Sequence, residues 1–296
     1  MKRQIVVGTR GSTIALLGAR SVVARLKEEW PETDFRLSTI TAKGGGLAGS
    51  EDLERALTEE RINIAVHALE EFPVVQAEGL ELASIPRRLE ARVALVGRAG
   101  CKSLAGLPEG ATIGLSGALR LALVKNFRPD LIVRMLEGDL DDRLEALVSG
   151  CDAVLISGSD LLRAELRNRI DELIAPDILL PAPGQGAVAL EVRSEDSLGL
   201  ECAYSIHHRV SDDRVTAERA FLEGLGGNLR APIGALAVIA EDGTLTLEGC
   251  VAAPDGSQVI RASIEGDPDE AEDLGFELAD DVLKQGGEAI LKLAFT

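Results

Sequence analysis

With 296 residues the chain is long enough for two domains, or three small ones, whose cores need no disulfide or metal staple. Its 46% hydrophobic and 27% charged residues are a soluble globular composition that excludes disorder, and its apolar runs are too short to span a bilayer. A net charge of −18 repels phosphate backbones, and 3% aromatics leave few rings on which bases could stack, so neither a nucleic acid nor a membrane is the expected partner.

The chain opens with strand Ile5-Val6-Val7, the turn Gly8-Thr9-Arg10-Gly11-Ser12, and a helix carrying Ala15, Ala19, Val22 and Leu26 at helical spacing. A strand from Phe35 to Ile40, the glycines Gly44-Gly45-Gly46, a short helix with Leu53, Ala56 and Leu57, and the strand Ile62-Asn63-Ile64-Ala65-Val66 complete a β-α-β-α-β unit. The order returns later: strand Thr112-Ile113, turn Gly114 to Gly117, helix to Phe127, strand Leu131-Ile132-Val133, helix from Arg143, strand Ala153 to Ile156. Two such units imply two small parallel-type sheets covered by helices, with ligands at the carboxyl ends of the strands in a cleft between the units. The last portion alternates at Thr244-Leu245-Thr246-Leu247, turns at Pro254-Asp255-Gly256-Ser257, resumes as a strand at Val259, and starts a helix near Pro268 that carries Leu274, Leu278 and Val282, a small α+β domain.

Four cysteines, Cys101, Cys151, Cys202 and Cys250, lie far apart with no CxxC pair. The start Met1-Lys2-Arg3-Gln4 leads into a strand without the apolar stretch of a secretion signal, and the expectation is a cytoplasmic protein with reduced thiols. His67, His207 and His208 lack zinc-ligand spacing, the adjacent pair pointing apart if on a strand, so no metal site is expected.

Gly8-Thr9-Arg10-Gly11-Ser12 sets backbone N–H groups, a hydroxyl and a guanidinium at a helix start, which makes either an anion site or a plain Ser12 N-cap. Arg120, Arg134, Arg143 and Arg163 recur at element ends of the second unit and either line a cleft for a small polyanion or solvate helix faces. Glu70 and Glu71 follow the apolar strand that ends near Val66; by strand alternation one faces the cleft and one faces away, where a carboxylate could stabilise a developing cation, unless both are surface charges. Gly224-Leu225-Gly226-Gly227 follows the helix Thr216 to Leu222 and not a strand, so a dinucleotide-binding reading fails on context.

The chain resembles the hydroxymethylbilane synthase (porphobilinogen deaminase) family over nearly its whole length. The resemblance rests on Gly8-Thr9-Arg10-Gly11-Ser12, Ile64-Ala65-Val66-His67, Arg128-Pro129-Asp130-Leu131-Ile132-Val133-Arg134, Leu180-Pro181-Ala182-Pro183-Gly184-Gln185-Gly186-Ala187, Val215-Thr216-Ala217-Glu218-Arg219-Ala220, and Gly226-Gly227 through Pro232-Ile233-Gly234. It implies an α/β fold of two periplasmic-binding-protein-like β-α-β domains around a cleft plus a small C-terminal α+β domain, with bounds 1–88 with 183–204, 89–182, and 205–296. It also implies a transferase that condenses porphobilinogen head to tail with loss of ammonia, on a dipyrromethane primer held by a cysteine thioether. Matched substrate-binding positions are Arg10, Ser12, Lys43, Arg120, Arg143, Arg163 and Gln185, with Glu71 in the place of the catalytic aspartate.

Several positions depart from the family. The primer cysteine, three residues before Pro232-Ile233-Gly234, falls on Leu229, so no covalently bound cofactor is expected. The Lys-Asp pair becomes Glu70-Glu71, the second of two paired arginines becomes Leu121, the arginine of a Leu-Arg-Gly becomes Glu137, and the loop Ala42 to Leu47 is short, with its lysine pair reduced to Lys43. Lys or Arg to Glu moves local charge by two units toward negative, which disfavours a long chain of carboxylated rings. The expectation is a divergent condensing enzyme, without the tethered primer and with a shorter product, acting on small pyrrole carboxylates as a monomer. The alternative is a non-catalytic pyrrole- or carboxylate-binding paralogue of the same fold.

Overall fold

The computed structural model of the protein describes residues 3–42, 49–98 and 100–294. In chain order its first elements are β1 (Arg3–Thr9), α1 (Thr13–Glu29), β2 (Thr33–Thr39), α2 (Ser50–Thr58), β3 (Ile64–Ala68), a 3-10 turn (Leu69–Glu71) and β4 (Leu80–Ser84). Next come β5 (Val93–Gly97), β6 (Thr112–Leu115), α3 (Ala118–Phe127), β7 (Ile132–Met135), α4 (Leu140–Glu145), β8 (Ala153–Ser157), α5 (Gly158–Arg163) and β9 (Glu172–Leu173). The chain then makes β10 (Val188–Arg193), α6 (Ser197–Tyr204), α7 (Arg209–Gly224), β11 (Ile233–Ile239), β12 (Leu245–Ala252), β13 (Val259–Gly266), α8 (Ala271–Val282) and α9 (Glu288–Ala294). Among the described residues no helix is long and apolar enough to cross a membrane.

These elements fall into two compact units, Met1–Leu89 with Ala187–Asp212, and Glu90–Gly186 with Asp213–Thr296. The first holds a five-stranded sheet in the order β2-β1-β3-β10-β4, with β1 parallel to β2 and β3, and β10 antiparallel to β3 and β4. The second repeats the plan as β7-β6-β8-β5-β9, with β6 parallel to β7 and β8, and β5 antiparallel to β8 and β9. Both sheets are therefore mixed, where parallel ones were expected. The parallel trio follows from the β-α-β connections, and the antiparallel strand is supplied from outside each local repeat.

In the first unit Ile5, Val7, Ala19, Val22, Leu26, Ile64 and Val66 form a core on one face, and Leu53, Ala56, Leu57 and Ile62 form another. A sheet covered on both faces explains why its strands read as near-continuous apolar runs instead of alternating. Gly8 sits in β1 because a side chain there would collide with Ile62. In the second unit Val93, Leu95, Ile113, Leu115 and Leu155 share one apolar cluster with Leu236, Cys250 and Ala252 of the three-stranded sheet β11-β12-β13. The C-terminal sheet thus has its own hydrogen-bonded ladder while one of its faces joins a common core and the other lies against α7 and α8, where Gly249 meets Phe221 and Gly266 meets Leu274.

Three local expectations are corrected. Glu70 and Glu71 are not on a strand: β3 ends at Ala68 and both lie in the 3-10 turn, so strand alternation does not set their directions. Arg143 does not open a helix, because Asp139 caps α4 by accepting from Leu140 N at 2.8 Å while Asp142 accepts from Asp139 N at 2.8 Å, placing Arg143 in the last turn. His207 and His208 lie in the loop before α7, with His207 Nδ1 accepting from Ile85 N at 3.4 Å and His208 Nδ1 from Ser211 N at 3.2 Å. Among the described residues no group of His, Cys, Asp and Glu side chains could hold a metal ion.

Candidate active site

In the first unit β1 delivers Arg10 and α1 begins three residues later at Thr13. Ser12 is the N-cap of that helix, its Oγ accepting from Ala15 N at 3.3 Å. Arg10 forms an ion pair through Nη2 with Glu71 Oε2, the arginine 25% and the glutamate 55% exposed. The turn that presents Glu71 is held by its neighbours: Leu69 and Phe72 are both buried, Phe72 N donates to Leu69 O at 3.0 Å, and Leu69 N donates to Ala187 O at 3.1 Å. The Glu71 carboxylate thus sits on a pinned turn, ion-paired yet still exposed to solvent, which fixes its aim.

Behind the turn, buried His67 Nε2 lies 3.0 Å from Glu191 Oε2, and the His67 ring packs against Phe72 with centroids 4.9 Å apart. This pair was not foreseen, although a glutamate inside the apolar strand Val188-Ala189-Leu190-Glu191-Val192 is the signal that could have found it. Burial, with Glu191 nearby, pushes the Glu54 carboxyl up. Lys43 and the glycines Gly44 to Gly46 lie outside the described residues.

In the second unit three of the arginines are neighbours. Arg120 Nη2 donates to Gln185 Oε1 at 2.9 Å, and Arg163 Nη2 donates to the carbonyl of the adjacent Gly186 at 3.0 Å. Gln185 is fixed in turn by its own amide, which donates to Ala91 O at 2.5 Å. Gly186 has φ of 84°, and a Cβ there would strike the Glu90 carbonyl, so the loop that collects the two arginines requires glycine at this point. Arg163 Nη1 also lies 3.6 Å from Asp160 Oδ1 and donates to Ser159 Oγ at 3.3 Å. Burial pushes the Asp160 carboxyl up, against the pull of Arg163, Arg120 and Arg143. Arg143 therefore belongs to the same electrostatic group, while its Nε donates to Gly138 O at 3.1 Å. Arg134 stands elsewhere on β7, with Nη1 donating to Ser149 O and Oγ, each at 3.2 Å.

Sequence reasoning did not single out Asp160. Its position three residues before Arg163 on one helical turn was the available signal. Glu218 was also quoted without a role. It is fully buried on α7, Oε2 accepting from Gly184 N at 2.7 Å and Oε1 from Ala237 N at 2.9 Å, so it ties the loop that carries Gln185 to strand β11.

Leu229 lies in the loop between α7 and β11, 39% exposed, with a hydrocarbon side chain that offers no nucleophile. All four cysteines are free: Cys151, Cys202 and Cys250 are buried and Cys101 is half-buried. Burial pushes the Cys202 and Cys250 thiols up to about 11 and raises Cys101 as well. A thioether is made by an accessible thiolate, and none of these groups presents one, so the residues present do not fit a cysteine-tethered cofactor.

Two mixed five-stranded sheets of one strand order, with a small C-terminal α+β layer, define an α/β protein of the periplasmic-binding-protein-like class. Residues 5–201 match the family model "Porphobilinogen deaminase, dipyromethane cofactor binding domain", and residues 213–284 match "Porphobilinogen deaminase, C-terminal domain". The chain is 53% identical to porphobilinogen deaminase of Deinococcus radiodurans, over 98% of each chain, and 50% identical to that of Thermus thermophilus, again over 98% of each. Among solved structures it is similar to the BenM effector binding domain with its effector benzoate, at 13% identity and a TM-score of 0.44 over 70% of this chain and 90% of that one. The chain belongs to the porphobilinogen deaminase family, transferases that deaminate and condense pyrroles.

Proposed function

We propose that this chain condenses porphobilinogen, or a close pyrrole, head to tail into a linear oligopyrrole with release of ammonia, and that it does so on a free acceptor without a covalently attached dipyrromethane. The observation that carries the first part is the Arg10–Glu71 ion pair on the pinned turn after β3. Ammonia loss from the aminomethyl group leaves an electron-poor methylene pyrrole, which the α-carbon of a second pyrrole attacks. Positive charge then gathers on the ring nitrogens, a fixed carboxylate such as Glu71 stabilises it, and loss of the proton from the attacking α-carbon restores the aromatic ring and completes the condensation. Arg10, Arg120, Arg143 and Arg163 hold the acetate and propionate groups by charge-assisted forks, with Ser12, Lys43 and Gln185 as supporting contacts. Leu229, with four thiols that are buried or half-buried, supports the absence of a tether. The Lys/Arg to Glu changes at Glu70 and Glu137 support a product shorter than the family's, because each added ring brings two more carboxylates into less cationic surroundings. No nucleic acid or membrane takes part, the protein acts as a monomer in the cytoplasm, and residues 205–296 serve as the third domain of the family plan.

A second reading is favoured by the same ion pair: Arg10 already has a carboxylate partner, as in a protein that binds carboxylates and turns nothing over. Turnover separates the two. Glu71→Gln keeps size and hydrogen bonding but removes charge, and it should cut the rate of ammonia release from porphobilinogen by about 100-fold or more, the scale of losing one preorganised electrostatic group. Glu70→Gln should do far less. Equal effects of the two substitutions, or no turnover by the unmodified chain, leave the binding-protein reading ahead.

A further inference from the structure

We propose that Asp160 is a resident counter-ion of the arginine group in the second unit and sets the charge of the ligand that group accepts, disfavouring a second carboxylate. The inference rests on the reading that Arg120, Arg143 and Arg163 bind substrate carboxylates, and it adds a residue that limits how many of them can be held.

The geometry supplies the argument. Arg120 and Arg163 are drawn together by the adjacent residues Gln185 and Gly186. Asp160 sits on the same helical turn as Arg163, with Arg163 Nη1 3.6 Å from its Oδ1, and both side chains are largely shielded, 17% exposed for the aspartate and 9% for the arginine. The turn is built to hold it there: Ser157 Oγ and Ser159 Oγ are 2.9 Å apart, and Ser159 Oγ lies 3.4 Å from Asp160 Oδ1. Arg120 and Arg143 act on the same carboxyl, and burial raises it against their combined pull. A group of three guanidiniums would attract two or three carboxylates. With one carboxylate already inside, a net charge of two remains, and each incoming anion stands close to a like charge in a shielded place where repulsion is weakly screened.

Two consequences separate this role from a purely structural one. First, Asp160→Asn keeps the shape of the side chain and removes the charge, so carboxylate ligands should bind more tightly even though a native ion pair has been deleted. A structural ion pair would give the opposite sign. Second, a carboxylate seated beside Asp160 should drive it to take up a proton, so that binding to the unmodified chain is accompanied by net proton uptake.

The test uses the full chain and two probes, succinate as a plain dicarboxylate and porphobilinogen, titrated by calorimetry at pH 7, where the carboxylates of the probes are ionised, in two buffers of different ionisation enthalpy. The proposal expects Asp160→Asn to bind succinate about tenfold more tightly or better, the scale of relieving one like-charge juxtaposition. It also expects proton uptake by the unmodified chain on binding and none by the variant. Unchanged or weaker binding by a folded Asp160→Asn overturns it, as does binding to the unmodified chain without proton uptake. If the variant does not fold, proton uptake by the unmodified chain decides alone. Succinate binding by Asp160→Asn where the unmodified chain shows none supports the proposal, whereas failure of both chains to bind either probe overturns it together with the reading it rests on. Because succinate cannot be deaminated, this result is independent of whether porphobilinogen is turned over.

Discussion

Replacing Glu218 by glutamine probes how the arginine-bearing loop is held. The carboxylate is fully buried and accepts from two backbone donors at once, Gly184 N at 2.7 Å and Ala237 N at 2.9 Å. Glutamine has one acceptor oxygen, and its other end is an NH2 group, so one of the two N–H groups must face a donor in a fully buried place. Leaving a buried donor unsatisfied costs about 1–3 kcal/mol, and a hydrogen bond to a charged acceptor contributes about 1.5–3 kcal/mol. A loss of about 2–4 kcal/mol is therefore expected. At about 2–4 °C per kcal/mol for a unit of this size, the melting midpoint should fall by about 5–15 °C. Thermal unfolding followed by circular dichroism measures the shift. Gly184 precedes Gln185, whose Oε1 holds Arg120, so the same variant should also bind porphobilinogen more weakly at a temperature where it is still folded. A Glu218→Gln chain that melts within about 1 °C of the unmodified protein would refute the assignment of Glu218 as the tie between this loop and β11.

Two further outcomes follow from particular pairs. Arg10→Ala should weaken binding of porphobilinogen about tenfold, the low end of about 1.5–3 kcal/mol for a charge-assisted pair, since the ligand must displace Glu71 and gains only the exchange; equilibrium binding with unchanged affinity would remove Arg10 from the site. The Arg128 side chain holds the Asp130 carboxyl down at about 2, below its unfolded value of about 3.9. A depressed folded value contributes stability above the unfolded one that is lost as pH falls through the folded one. The melting difference between the unmodified chain and Asp130→Asn should be full at pH 6 and close between about pH 4 and pH 2, and a pH-independent difference would contradict this.

Much of the architecture was legible because apolar runs and turn residues mark it directly. Ile5 to Val7, the Ala15, Ala19, Val22 and Leu26 stripe and Ala153 to Ile156 became β1, α1 and β8 as expected. The two antiparallel strands β5 and β10 were not anticipated as members of these sheets, because their partners lie far away in sequence and periodicity carries no pairing information. Arg10, Arg120 and Arg163 could be named from their places in turns and at element ends, Arg143 was expected to open a helix whose last turn it occupies, and the partners of all four could not be read. Glu71 faces Arg10 through a 3-10 turn where a strand was expected, and Asp160 reaches the arginine group from a helix of six residues. Glu191, a charge inside an apolar strand, was a readable sign of a buried polar tie, whereas Glu218, beside Arg219 on a charge-rich helix, carried none.

The central claim, condensation without a tethered primer, is tested most directly on protein purified from cells that make porphobilinogen. The intact mass is taken first, and porphobilinogen is then added while ammonia and linear pyrrole products are followed. The account predicts a mass equal to the chain alone, because Leu229 has no nucleophile, followed by release of ammonia and formation of free oligopyrrole. An adduct of two pyrrole rings on any residue, or an adduct-free protein that releases no ammonia, would contradict it.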